Sequence, residues 1–143
     1  MSLSIYLNFA GNCREAFEFY RSVFGGDFAI VQTFGDGPPD MGVPEEAKDQ
    51  IMHVSYPIGS SVLMGSDVMP GFGPPHVTGT NFSVSYMTES REQTDEFFAK
   101  ISEGGTVQMA PADMFWGAYF GACTDKFGVT WQFNCEHGET ETG

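Results

Sequence analysis

The stretch Ile5-Tyr6-Leu7-Asn8-Phe9-Ala10-Gly11-Asn12-Cys13-Arg14-Glu15-Ala16-Phe17-Glu18-Phe19-Tyr20-Arg21-Ser22-Val23-Phe24-Gly25-Gly26 decides the fold. From Leu3 to Phe9, apolar residues at odd positions alternate with Ser4, Tyr6 and Asn8, the period of a half-buried strand. Gly11-Asn12 breaks it. Asn12 followed by Glu15 predicts a helix start, the amide accepting from a free backbone N–H and the Glu reaching back. Over Cys13 to Phe24 the period changes, and Ala16, Phe17, Tyr20, Val23 and Phe24 fall on one helical face. Gly25-Gly26 supplies a left-handed stop.

Working outward, Asp27 to Phe34 reads as a second strand and residues 35–49, rich in Gly, Pro and acids, as a loop. Gln50 to Pro57 and Ser60 to Gly65 read as two strands joined at Ile58-Gly59. A second loop over 66–79 carries Pro70, Pro74 and Pro75. The order then repeats. Asn81 to Tyr86 alternates, Ser90 with Gln93 forms a capping box, Phe97, Phe98 and Ile101 face inward, and Gly104-Gly105 ends the helix. Thr106 to Met109, Tyr119 to Thr124 and Val129 to Cys135 supply the remaining strands. Arg14-Glu15 matches Arg91-Glu92 and Phe19-Tyr20 matches Phe97-Phe98, so the chain reads as two like modules. The expected fold is α+β, two βαβββ modules whose curved mixed sheets surround a small-molecule cavity. Module 1 spans about 1–65, module 2 about 80–135, and the acidic tail 136–143.

Parity sorts the strand residues, because side chains two apart share a face. If Ile5, Leu7 and Phe9 pack on the helix, Tyr6 and Asn8 face the cavity. By the same rule His53 and Ser55 oppose Met52, Val54 and Tyr56, and Asn81, Ser83 and Ser85 oppose Phe82, Val84 and Tyr86. Thr130, Gln132 and Asn134 oppose Trp131 and Phe133. A water-facing sheet would also be polar, but such a surface is usually Lys and Glu. These rows are neutral hydrogen-bonding groups, the kind that orient a ligand. The aromatic run from Met114 to Phe120 reads as a wall over the pocket, as core or as a dimer contact, with Trp116 a candidate ligand contact.

Charge narrows the partners. Six Lys and Arg stand against 19 Asp and Glu, a formal net charge of −13, which disfavours nucleic acid and anionic membrane surfaces. No basic start or long apolar run marks a leader or a membrane span, so the cytoplasm is expected. Cys13, Cys123 and Cys135 cannot all pair within one chain and show no CxxC, so they read as reduced buried thiols. No GxSxG, GxGxxG, P-loop or HExxH occurs, which leaves triad hydrolysis, dinucleotide binding, phosphate cradling and zincin chemistry unsupported.

Tyr6 to Cys13, then Glu15-Ala16, Phe19-Tyr20 and Phe24-Gly25-Gly26, resemble the opening of the PhnB-like branch of the glyoxalase/bleomycin-resistance (vicinal oxygen chelate) superfamily. Phe115-Trp116-Gly117 and Thr124-Asp125-Lys126-Phe127-Gly128-Val129-Thr130-Trp131 resemble its closing signature. The resemblance implies paired βαβββ modules, a homodimer and, in the superfamily's enzymes, a divalent metal held by four strand residues, usually His and Glu. By position the first ligand falls near Ser4, Ile5 or Tyr6, the second on His53, the third on Asn81 and the fourth on Gln132. Only His53 is a strong ligand, so His53 and Gln132 are the metal candidates and a complete site is not expected. Members often carry the label 3-demethylubiquinone 3-methyltransferase. Nothing here resembles a nucleotide-cofactor loop, so that activity is not carried over. Two functional readings follow, beside a purely structural dimer with a vestigial pocket. One is a metal-free small-molecule-binding protein whose pocket uses Tyr6, Asn8, His53, Ser55, Asn81, Ser83, Trp116 and Gln132. The other is a divalent-metal-dependent lyase, isomerase or dioxygenase, which would lack an evident general base.

Overall fold

A computed structural model describes residues 2–69 and 73–136. The chain is α+β, and the same order of elements occurs twice. In the first half, β1 (Ile5–Phe9) leads into helix α1 (Cys13–Phe24), then β2 (Ile30–Thr33), β3 (Ile51–Ile58) and β4 (Ser61–Asp67). The second half runs β5 (Val84–Met87), helix α2 (Arg91–Ser102), β6 (Thr106–Asp113), β7 (Ala118–Thr124) and β8 (Thr130–Glu136). The two sheets have the same strand order, β1-β4-β3-β2 and β5-β8-β7-β6. In each, the first strand pairs parallel with the fourth while the other neighbours are antiparallel. The contacts divide the chain into units of residues 1–77 and 78–143.

In the first unit, Ala16, Phe17, Tyr20 and Val23 of α1 are buried against the sheet face that carries Leu7, Phe9, Val54, Tyr56 and Leu63. Gly65 is required there: a Cβ would lie 2.6 Å from the Phe17 ring and 2.9 Å from the Leu7 carbonyl oxygen. In the second unit Thr94, Phe97, Phe98 and Ile101 of α2 meet Val84, Trp131, Phe133 and Cys135. Each fully buried large apolar side chain contributes roughly 1.5–3 kcal/mol over leaving it in water. Cys13 and Arg91 open the two helices, so Phe19-Tyr20 does answer Phe97-Phe98. Arg14, however, answers Glu92 rather than Arg91, one residue off the match read from the sequence.

Several local expectations change. Asn12 makes no side-chain cap hydrogen bond. The start of α1 is held by Asp67, a buried carboxylate at the end of β4. Its Oδ1 accepts from the backbone N–H of Gly11 and of Cys13, and its Oδ2 accepts from that of Ile51. In α2 the expected cap forms: Gln93 N–H donates to Ser90 Oγ at 3.0 Å, and Gln93 Oε1 accepts from Glu89 N–H. β4 runs on to Asp67, past the Gly65 limit expected, and the β3–β4 turn is Gly59-Ser60, with Gly59 at φ +58°. The segment 34–49 contains three short 3-10 turns, Phe34–Asp36, Pro39–Met41 and Glu45–Ala47. β5 begins at Val84, so Asn81 to Ser83 form an exposed lead-in rather than strand. Pro70 and, apart from Glu136 at the end of β8, the acidic tail with His137 lie outside the described residues.

The closing signature has a structural reason. Asp125 is buried, and its Oδ1 accepts from the N–H of Phe127 and of Val129 while Oδ2 accepts from the Trp131 indole N–H. Gly128 at φ +92° lets the loop close around that carboxylate.

Candidate functional site

Each sheet has a face turned away from its helix. In the first unit, strand register sets Asn8 beside Ser66 and Gln32 beside His53. Val54 pairs with Gly65, so His53 and Ser66 stand at the same level, and Asn8, Ser66, His53 and Gln32 form one polar row across four strands. With neighbouring strands about 4.8 Å apart, the row spans about 14 Å, the scale of a small organic molecule. The next row is Tyr6, Met64, Ser55 and Ile30. Tyr6 and Asn8 are exposed, and His53, Ser55 and Ser66 are half-buried.

The rings of Tyr6 and His53 connect the rows. They stack with centroids 5.8 Å apart and planes 24° apart, and the Tyr6 hydroxyl lies 3.4 Å from His53 Nδ1. At the outer edge of β1, the Asn8 carbonyl oxygen accepts from His76 Nε2 at 2.9 Å. A bulge in β3 sets which side Ile51 takes. Gln32 pairs with His53 but Thr33 pairs with Ile51, leaving Met52 as the extra residue. Ile51, not Met52, is therefore the buried residue preceding Val54.

The opposite, helix-covered side of this sheet holds a small pocket of about 50 Å³ among Phe17, Phe28, Val31, Ile51 and Val54, with Arg14 and Glu18 at its rim. It is distinct from the polar rows and too small for more than a fragment of a ligand.

In the second unit, Ser85, Gln132, Ala122 and Met109 make one row of the open face, and Met87, Asn134, Phe120 and Ala112 the next. Gln132 and Asn134 are half-buried. Trp116 is on the turn between β6 and β7, 56% exposed, with its ring edge-on to Phe120 at 6.1 Å. Phe115 beside it is 97% exposed, so neither belongs to the core, whereas Tyr119 of the same run is buried. Tyr119 donates to Asp95 on the helix side, and that hydrogen bond pushes its phenol above the usual range. Asn81 and Ser83 lie ahead of β5 and are exposed.

The eight candidate residues are thus distributed over both units: Tyr6, Asn8, His53 and Ser55 share one face of the first, and Gln132 lies on the open face of the second. The positions carried over for a metal do not match one another in the fold. His53 is on β3, whose counterpart is β7, whereas Gln132 is on β8, whose counterpart is β4. The face positions of β4 are Val62, Met64 and Ser66, none of them a strong ligand. Of Ser4, Ile5 and Tyr6, it is Tyr6 that stands within β1 on the open face. Among the described residues no group of three His, Cys, Asp or Glu converges as a metal site. The His53 imidazole among amides, hydroxyls and thioethers does not fit the His and Glu set of the superfamily's enzymes.

Gln32 and Ser66 were not among the residues selected from sequence. Gln32 could have been found by extending the parity rule to β2. Ser66 lies just beyond the strand end that the sequence pattern predicts, where the pattern reads as loop.

The family model described as 3-demethylubiquinone-9 3-methyltransferase matches residues 1–134. The chain belongs to that PhnB-like family. This PhnB-like chain is 42% identical to protein PA1353 of Pseudomonas aeruginosa, whose crystal structure matches with a TM-score of 0.82 over 94% of this chain and 98% of that one. It is 33% identical to Protein YjdN of Escherichia coli over 94% of this chain and 95% of YjdN. The PhnB protein of Bacillus cereus, 23% identical over 94% of this chain and 99% of that one, shares the fold with a TM-score of 0.77. The same fold recurs at lower identity in glyoxalase/bleomycin-resistance structures. No helix among the described residues is long and apolar enough to cross a membrane.

Proposed function

We propose that this PhnB-like chain binds a small organic molecule through neutral hydrogen bonds and ring contacts, without a complete metal site. The observation that carries this reading is the Asn8, Ser66, His53 and Gln32 row with Tyr6 stacked on His53. Amide and hydroxyl groups there offer donors and acceptors that contribute about 0.5–1.5 kcal/mol per hydrogen bond formed. Ser55 extends the set on the first unit. Asn81, Ser83, Trp116 and Gln132 are the corresponding candidates on the second. A homodimer in the cytoplasm is part of the same reading.

The test is a thermal-shift screen of metabolite and drug-like compounds on protein kept in chelator. Compounds that raise the melting temperature of the native protein and fail to do so in His53→Ala support it. No shift from a broad library contradicts it.

A second reading, a divalent-metal-dependent lyase, isomerase or dioxygenase, has one observation in its favour: the His53 imidazole beside the Tyr6 hydroxyl. It requires that His53→Ala remove both ion binding and turnover. Retained activity in that variant would eliminate it.

A further inference from the structure

The strand positions on the open face of the first unit carry no acidic side chain, Lys or Arg, in a molecule of formal net charge −13. β1 contributes Tyr6 and Asn8 to it, β2 Ile30 and Gln32, β3 His53 and Ser55, and β4 Val62, Met64 and Ser66. No Asp, Glu, Lys or Arg is among these strand positions. The acidic residue of these strands, Asp67, is on the helix side, committed to three backbone N–H groups.

This pattern selects a ligand class. An anion would leave water for a face with no Lys or Arg to pair it, within a negatively charged molecule. A cation would find no carboxylate there, and the long-range attraction of the acidic surface is screened within about 8 Å at physiological salt. An uncharged ligand pays neither cost. The Tyr6–His53 stack offers it a flat surface, and Met64 beside Tyr6 a polarisable contact. The amides of Asn8 and Gln32 at the two ends of the polar row supply both donors and acceptors.

We infer that the ligand of this face is an uncharged planar aromatic compound bearing an amide-like or carbonyl group, seated on the Tyr6–His53 stack with its polar group on the Asn8–Ser66–His53–Gln32 row. This inference rests on the binding reading above and narrows it to one chemical class.

Four probes of similar size separate the contributions: benzamide, benzoate, benzylamine and cyclohexanecarboxamide, each titrated into the full chain at physiological salt and followed by NMR. Benzamide is expected to shift the Tyr6, His53 and Gln32 resonances and to bind about tenfold more tightly than the other three. Tyr6→Leu should remove that preference over the cyclohexane analogue. Gln32→Lys, at an exposed position, should turn the preference toward benzoate. If benzoate, benzylamine or cyclohexanecarboxamide binds the native face as well as benzamide does, or if none of the four shifts those resonances, the ligand class is wrong. The binding reading fails separately, when the thermal-shift library yields no compound that perturbs this face at all.

Discussion

Two buried carboxylates, Asp67 and Asp125, each hold three N–H donors and fix the backbone around the sheets. Charged residues near strand ends read as loop from the sequence, so neither role was legible beforehand. The alternation that placed Tyr6, Asn8, His53 and Ser55 on one face was legible, because period-2 patterning depends only on which side is buried. Removing the Asp125 carboxylate leaves the N–H groups of Phe127, Val129 and Trp131 unpartnered by it inside the fold. Asp125→Ala is expected to destabilise the protein by about 2–3 kcal/mol in urea unfolding, with a normal fold signature at low urea. The Cys123 thiol gives a pH prediction. Burial, with Asp125 nearby, pushes it from the ordinary 9.0 up to about 12. The unfolded chain therefore releases this proton first. The stability it contributes is present below pH 9 and is lost as pH rises from 9 toward 12. The fall in urea midpoint over the accessible part of that window should be shallower in Cys123→Ala.

The two helices show what local pattern can and cannot specify. Both had a capping-type start, Asn12 with Glu15 and Ser90 with Gln93. Only the second is a local cap; the first is replaced by Asp67 from a strand far along the chain. Single-sequence patterning has no access to such a long-range partner. It follows that Ser90→Ala should cost about 1 kcal/mol, while Asn12→Ala should change stability by only a few tenths, both measured by urea unfolding. Strand existence was legible throughout, from alternation in β1 and β8 and from short runs bounded by turn residues elsewhere. Boundaries were less so. Asn81 to Ser83 alternate like a strand but make no ladder, as β8 pairs with the chain only from Val84. The bulge at Met52 likewise leaves no trace in the apolar pattern, because Met and Ile are both plausible core residues. It is nevertheless what buries Ile51 on the same side as Val54, behind the polar row that holds His53.

At the scale of the whole molecule, the repeated strand order agrees with the internal repeat read from the helices and glycine pairs. The metal question was legible only in part. The sequence gives a poor ligand set, and the topology adds that His53 and Gln132 occupy non-equivalent strands. The formal charge of −13 predicts no retention on DNA at physiological salt, checked by gel shift or fluorescence anisotropy. The proposed ligand is held by the polar rows of the first sheet without help from an ion. Calorimetric titration of chelator-treated protein with a screened ligand, in the absence and presence of excess divalent ion, tests it most directly. The same Kd is expected in both conditions, with binding lost in His53→Ala. Binding that appears only with the ion would contradict it and make the metal-dependent enzyme the better description.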